Sequence, residues 1–242
     1  MSIVTYHVYC RLIGNAIAFL LHSGNSIVLF FAMQGDILKD PDIAMLKATQ
    51  LKYITIWNVA FQLLFAAMSI ICDISAIFKI KKGEKYLNYL RNYRKVFFGA
   101  VVWPLSWMIF TIFWPIFIYD RELIFPSFID KAISLPSNHI MHTAIIPIVI
   151  WNLFFLPRSK PTSHKWYLAH IFALFITYLI VVFHNYAILG VWPYPILKNI
   201  YGTLYFPLFF LINLCLILIY YVVQWPLTTL IFETCNKSEK MI

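Results

Sequence analysis

The chain has 242 residues, of which 62% are hydrophobic, 19% aromatic and only 12% charged, with a formal net charge of +9. Charge at about half the level of an ordinary soluble domain excludes a water-soluble globular fold and points to an integral membrane protein. The basic residues sit in short segments between apolar runs, where they report membrane orientation, so no nucleic-acid partner is expected.

Several apolar runs reach the ~20 residues needed to cross a ~30 Å hydrocarbon core. The expected fold is all-α: six transmembrane helices in one bundle, forming a single membrane domain across residues 1–242. The N-terminus lacks a basic n-region followed by a short apolar core and a small-residue cleavage site, so the first span itself is expected to direct insertion. That span covers about residues 10–33 and is interrupted by His22-Ser23-Gly24-Asn25, small and polar residues of the kind that face neighbouring helices. A polar loop follows, in which Pro41 is expected to break any helix.

The second span, about 53–78, carries Thr55 in its first turn and Asp73 near its far end. At ~1.5 Å per residue these two lie about 27 Å apart, at opposite faces of the bilayer. Asp73 precedes the basic segment Lys79 to Lys95 and is expected to pair with it. The third span, about 96–119, contains Pro104 and Pro115 and ends in Tyr119-Asp120-Arg121-Glu122. The fourth, about 138–156, opens on Ser137-Asn138-His139-Ile140-Met141-His142-Thr143, which sets two imidazoles just inside the apolar boundary. The fifth, about 166–188, finishes with His184-Asn185-Tyr186, and the last, about 203–232, follows a loop rich in Gly, Trp, Tyr and Pro. Cys72 and Cys215 fall inside apolar runs and Cys10 at the start of the first, so no disulfide framework is expected; Cys235, beyond the last span, is a weak acylation candidate.

Counting basic residues orients the bundle. With both termini cytosolic, the inner segments hold thirteen Lys and Arg and the outer segments six. Thr55 and His142 then lie near the outer face at the starts of their helices, and Asp120 and His184 near the same face at the ends of theirs. Trp57, Trp192 and Tyr194 suit an interfacial aromatic belt.

A hydroxyl and an imidazole at one depth are the parts of nucleophilic acyl transfer, in which a threonine needs a base within hydrogen-bond reach. Ser137 is expected to cap the fourth helix and leave its first-turn N–H groups as oxyanion donors. Two other readings use the same residues. His139, His142, His184 and Asp120 form a possible zinc set, although a spacing of three is not that of the common helical zinc motifs. Alternatively, Thr55 and the histidines only pack between helices, as in a non-catalytic membrane regulator or scaffold. A transporter would need polar residues through the midplane, and few are present.

Taken together, Lys52-Tyr53-Ile54-Thr55, Tyr119-Asp120-Arg121-Glu122, Asn138-His139-Ile140-Met141-His142-Thr143, His184, Gly190-Val191-Trp192 and Tyr194-Pro195 resemble the androgen-induced protein and androgen-dependent TFPI-regulating protein family over about residues 51–232. The resemblance implies multispanning proteins of the endoplasmic reticulum and plasma membrane. It also implies hydrolysis of fatty acid esters of hydroxy fatty acids, with Thr55 as nucleophile and His142 as base. His139, Asp120, His184 and Asn138 are then supporting candidates; no cofactor or metal is implied, and the substrate arrives from the bilayer. Ile140 stands where the family often has Gly, and the first 50 residues match poorly.

Overall fold

The computed structural model describes the backbone of residues 3–239 and the side chains of residues 6–232. The acylation expectation at Cys235, and the charges of Lys237 and Lys240 counted for orientation, lie outside the described side chains. Helices and turns account for the architecture, with no strand among the described residues. In chain order the helices are α1 (Ile3–Ala32), α2 (Pro41–Thr49), α3 (Ile54–Ile77), α4 (Glu84–Phe97), α5 (Trp103–Asp120), α6 (Leu135–His142), α7 (Ile145–Phe155), α8 (Lys165–Leu189), α9 (Pro195–Ile200) and α10 (Tyr205–Glu239). Among the described residues six helical stretches are long and apolar enough to cross a membrane: Tyr6–Ala32, Ile54–Ile77, Glu84–Leu123, Leu135–Phe155, Lys165–Leu189 and Tyr205–Phe232.

Three local features depart from the expected outline. Pro41 starts a helix instead of breaking one: it occupies the first turn of α2, where a missing N–H costs nothing, and the Asp40 carboxylate caps the turn by accepting from the Asp42 N–H at 3.0 Å. Much of the basic segment is helical, because Leu90, Tyr93 and Phe97 recur at helical spacing and pack on the core while Glu84 and Lys85 face outward; Arg94 turns inward. This α4 runs through a π-helical turn, Phe98–Val102, into α5. At Gly99, inside that turn, a Cβ would sit 3.0 Å from both Gln224 Oε1 and Tyr167 Cε1, so glycine is what lets α10 and α8 close on this point.

The fourth span is broken between α6 and α7. Pro147, in the first turn of α7, has no N–H for the carbonyl of residue 143, and its ring would clash with that carbonyl in a continuous helix. The chain therefore turns at Thr143–Ala144, and both of these N–H groups donate to His139 O, at 2.8 and 2.9 Å. This break decides where His142 stands.

Polar residues tie α1 into the bundle. His22 Nε2 donates to Gln62 Oε1 of α3 at 3.0 Å, and Asn15 exchanges amide bonds with Asn152 of α7 at 3.0 and 3.3 Å. Inside hydrocarbon such groups need partners, and His22 and Asn15 find theirs on other helices. Asp73 is fully buried and accepts from Arg11 Nε at 2.9 Å, Arg11 Nη2 at 2.5 Å and Arg94 Nη1 at 3.1 Å. Arg94 comes from the basic segment, as expected; Arg11 is an additional partner. The apolar core divides into two clusters, one around α5, α7, α8 and α10, the other around α2, the ends of α1 and α5, and the 124–133 loop.

Candidate active site

The site begins with backbone geometry. Tyr53 is extended (φ −87°, ψ 127°) and its side chain does not cap α3, so Ile54 and Thr55 open the helix with N–H groups that have no intrahelical acceptor. The Ile54 N–H donates to Tyr194 Oη at 3.2 Å. The Thr55 N–H has no acceptor among the described residues.

Thr55 Oγ1 lies 3.2 Å from His142 Nε2, across 87 residues of sequence. On the other side of the ring, His142 Nδ1 is 3.1 Å from the backbone oxygen of Asn138. A carbonyl oxygen only accepts, so Nδ1 carries the proton. Nε2 is then left with its lone pair toward Thr55, whose hydroxyl donates to it. Phe113 of α5 stacks on the imidazole with centroids 3.5 Å apart and planes 11° from parallel, which fixes the ring's rotation. Both members are buried, Thr55 at 9% exposure and His142 at 4%.

The pair borders a cavity of about 330 Å³. Its wall is apolar over nearly its whole extent and is drawn from both core clusters: Leu105, Met108 and Ile217 on one side, Leu29, Leu46 and Ile129 on the other. Thr55 stands at the seam, because its neighbour Ile54 packs on the first cluster and Ile56 on the second.

Residues 18–227 match the FAR-17a/AIG1-like protein family. The chain belongs to that family. Relatives within the similarity include the androgen-dependent TFPI-regulating protein of Homo sapiens, 33% identical over 149 residues, which are 62% of this chain and 63% of the relative. The Mus musculus protein of the same name is 30% identical over the same shares. The androgen-induced gene 1 protein of Homo sapiens is 26% identical over 153 residues, 62% of this chain and 64% of the relative. The match thus spans less than two thirds of the length of these relatives, and their names state no chemical reaction. No solved structure matches the chain. With six spanning helices and this membership, it is a multi-pass membrane protein.

Other residues singled out from the sequence of this family member take different places. Asn138 meets the pair through its backbone oxygen, while its buried side-chain Oδ1 has no partner among the described residues. His139 is exposed, bonds Thr143 Oγ1 at 3.0 Å and stacks on Trp114, turned away from Thr55. Asp120 is exposed and accepts from the Glu122 N–H at 3.0 Å, capping the short turn beyond α5. His184 is exposed on α8. Neither these three nor Asn138 lines the cavity. No group of three or more His, Cys, Asp or Glu side chains among the described residues is placed to share a metal ion, so the set His139, His142, His184 and Asp120 is not assembled.

Two details of the expected chemistry are also corrected. Ser134 is the N-cap of α6, accepting from the Ser137 N–H at 3.4 Å, so Ser137 lies inside the helix. In the first turn of α6 the Ser137 and Asn138 N–H groups donate to Ser134 Oγ and Ser134 O, at 3.4 and 3.0 Å, and Pro136 has none, so these groups are not left over as oxyanion donors. Tyr194, assigned above to the aromatic belt, instead lines the cavity with its hydroxyl against the start of α3. Its place in the Gly190 to Pro195 motif was the available signal, but a loop tyrosine near an interface has a simpler explanation from sequence alone.

Proposed function

We propose that this protein hydrolyses a lipid ester, with Thr55 as nucleophile and His142 as general base, and that its substrates are fatty acid esters of hydroxy fatty acids. The observation that carries this reading is the 3.2 Å contact between Thr55 Oγ1 and the unprotonated Nε2 of His142 at the wall of an apolar cavity. A hydroxyl, a base within reach and a third group orienting the base make up an activated nucleophile. Here the orienting group is the Asn138 carbonyl.

In the first half-reaction Thr55 Oγ bonds to the ester carbon as its proton passes to His142 Nε2. Collapse of the tetrahedral intermediate breaks the ester C–O bond, and the departing alkoxide takes the proton from Nε2. Water then attacks the acyl-threonine, giving its proton to His142, which returns it to Thr55 as the carboxylic acid leaves. An ester of this class carries alkyl chain on both sides of the reacting carbonyl. The division of the cavity wall between two apolar clusters, parting at Thr55, supports such a shape. An apolar substrate would enter from the leaflet, at the lumenal face of the endoplasmic reticulum or the outer face of the plasma membrane if both termini are cytosolic, as the charge distribution favours.

The test is hydrolysis of a branched ester by the purified protein. Thr55→Ala, His142→Ala and the double variant should lose activity by similar factors, as members of one catalytic unit do. Multiplying losses, or an active Thr55→Ala protein, would leave the non-catalytic regulator as the better reading.

A further inference from the structure

Acyl transfer needs a site for the negative charge that develops on the carbonyl oxygen, and at its expected source, the start of α6, the Ser137 and Asn138 N–H groups are taken by Ser134 and Pro136 has none. We propose that the Tyr194 hydroxyl, together with the Thr55 backbone N–H, binds this oxyanion. The inference rests on the Thr55 reading and adds to it a catalytic residue from the loop between α8 and α9.

Tyr194 Oη accepts the Ile54 N–H at 3.2 Å, the first donor of α3. That bond uses an oxygen lone pair and not the hydroxyl proton, so Tyr194 remains a donor. The hydroxyl also lies against the Thr55 and Tyr178 side chains. The Tyr178 hydroxyl is committed to the Lys52 backbone oxygen at 3.2 Å, and the Tyr53 ring meets the Tyr194 ring edge-on at 5.3 Å between centroids. Tyr178 and Tyr53 are thus the titratable groups that face Tyr194 from α8 and the start of α3; His142 stands beyond Thr55. Among the described residues no charged side chain lines the cavity, so none of them supplies a ready-made cation for the oxyanion.

When Thr55 Oγ bonds to the ester carbon, the new oxyanion is attached to that same carbon, one bond beyond Oγ. His142 holds one side of Oγ; the free Thr55 N–H and the Tyr194 hydroxyl occupy the helix-start side. The positive end of α3 adds to both donors, as helix N-termini do toward anions. Burial pushes the Tyr194 hydroxyl up to about 12, so it keeps its proton through neutral and mildly alkaline pH. Accepting the Ile54 N–H polarises the O–H bond in the direction of donation.

The experiment compares kcat and KM of the parent protein, Tyr194→Phe and Thr55→Ala on one branched ester in detergent micelles. Loss of one oxyanion donor lowers kcat by about 10²–10³-fold. Tyr194→Phe should fall in that range with KM changed only a few-fold, because the donor acts on the transition state. A Tyr194→Phe kcat within a few-fold of the parent's, beside an inactive Thr55→Ala, overturns the Tyr194 role and leaves the Thr55 reading standing. An active Thr55→Ala overturns both. Should Tyr194→Phe fail to fold, 3,5-difluorotyrosine at position 194 preserves the shape and ionises at lower pH. Its activity should fall with rising pH where the parent's does not, and a pH profile identical to the parent's overturns the role.

Discussion

Asp73→Asn separates what holds the bundle together from what acts on substrate. Asp73 is fully buried and is the carboxylate shared by two buried guanidinium groups, Arg11 and Arg94. An asparagine keeps the shape but removes the negative charge, leaving two buried cations to their remaining partners. Those are backbone oxygens: Phe155 O at 2.8 Å from Arg11 Nη1 and Ser69 O at 3.5 Å from Arg94 Nη1. Breaking a buried ion pair by removing one partner costs about 3–5 kcal/mol, a large part of the roughly 5–15 kcal/mol that stabilises a folded chain. For a protein of this size that corresponds to a fall in Tm of about 10 °C. Yet Thr55 lies about 27 Å up the same helix, so hydrolysis per folded molecule should stay near the parent level. The assay is a thermal melt of both proteins in the same detergent, followed by activity normalised to the folded fraction. A melt unchanged from the parent would show that the buried charges are compensated some other way. A folded but inactive variant would contradict the separation of the two ends of α3.

His139→Ala should lower ester hydrolysis by less than tenfold, against a loss of about 10²–10⁴-fold for His142→Ala, because only His142 meets Thr55; kcat values at matched expression check this. Lys131 Nζ lies 2.6 Å from Asp40 Oδ2, and this bond holds the Asp40 carboxyl below the usual carboxylate range and raises Lys131. The link is therefore present above the ordinary carboxylate pKa and lost as pH falls through the depressed one. Hydrogen exchange in residues 41–49 and 127–131 should quicken at acid pH in the parent, and already at neutral pH in Asp40→Asn. A glycosylation acceptor inserted near Lys131 should be modified and one near Gly83 should not; the reverse would turn the bundle over and place the site on the cytosolic side.

The spans were legible because a membrane leaves few options: runs of ~20 apolar residues with few charges have to be helices. What lay between them was harder to read. Pro41 looks like a breaker until Asp40 is seen capping the turn that it begins, and the basic segment looks like a loop until Leu90, Tyr93 and Phe97 are found packed on one face. Asp73 could be paired with the basic segment from charge alone, whereas Arg11, 62 residues away, could be matched to it only by the packing of α1 on α3. The same holds at the site. Depth in the bilayer put Thr55 and His142 on one level, but Asp120 and His184 qualified equally, and the family resemblance selected the pair. Depth says nothing of which way a side chain turns around its helix. The break between α6 and α7, which Pro147 marks locally, and the Phe113 ring against His142, a contact that no local pattern displays, decide that.

The most direct measurement is to locate the covalent intermediate. The purified protein is treated with a fluorophosphonate, digested, and its peptides are mapped by mass spectrometry. The account predicts a single phosphonyl adduct on Thr55, absent in Thr55→Ala and formed far more slowly in His142→Ala. An adduct on another hydroxyl, or a parent protein that turns over a branched ester without ever being labelled, would contradict Thr55 as the nucleophile.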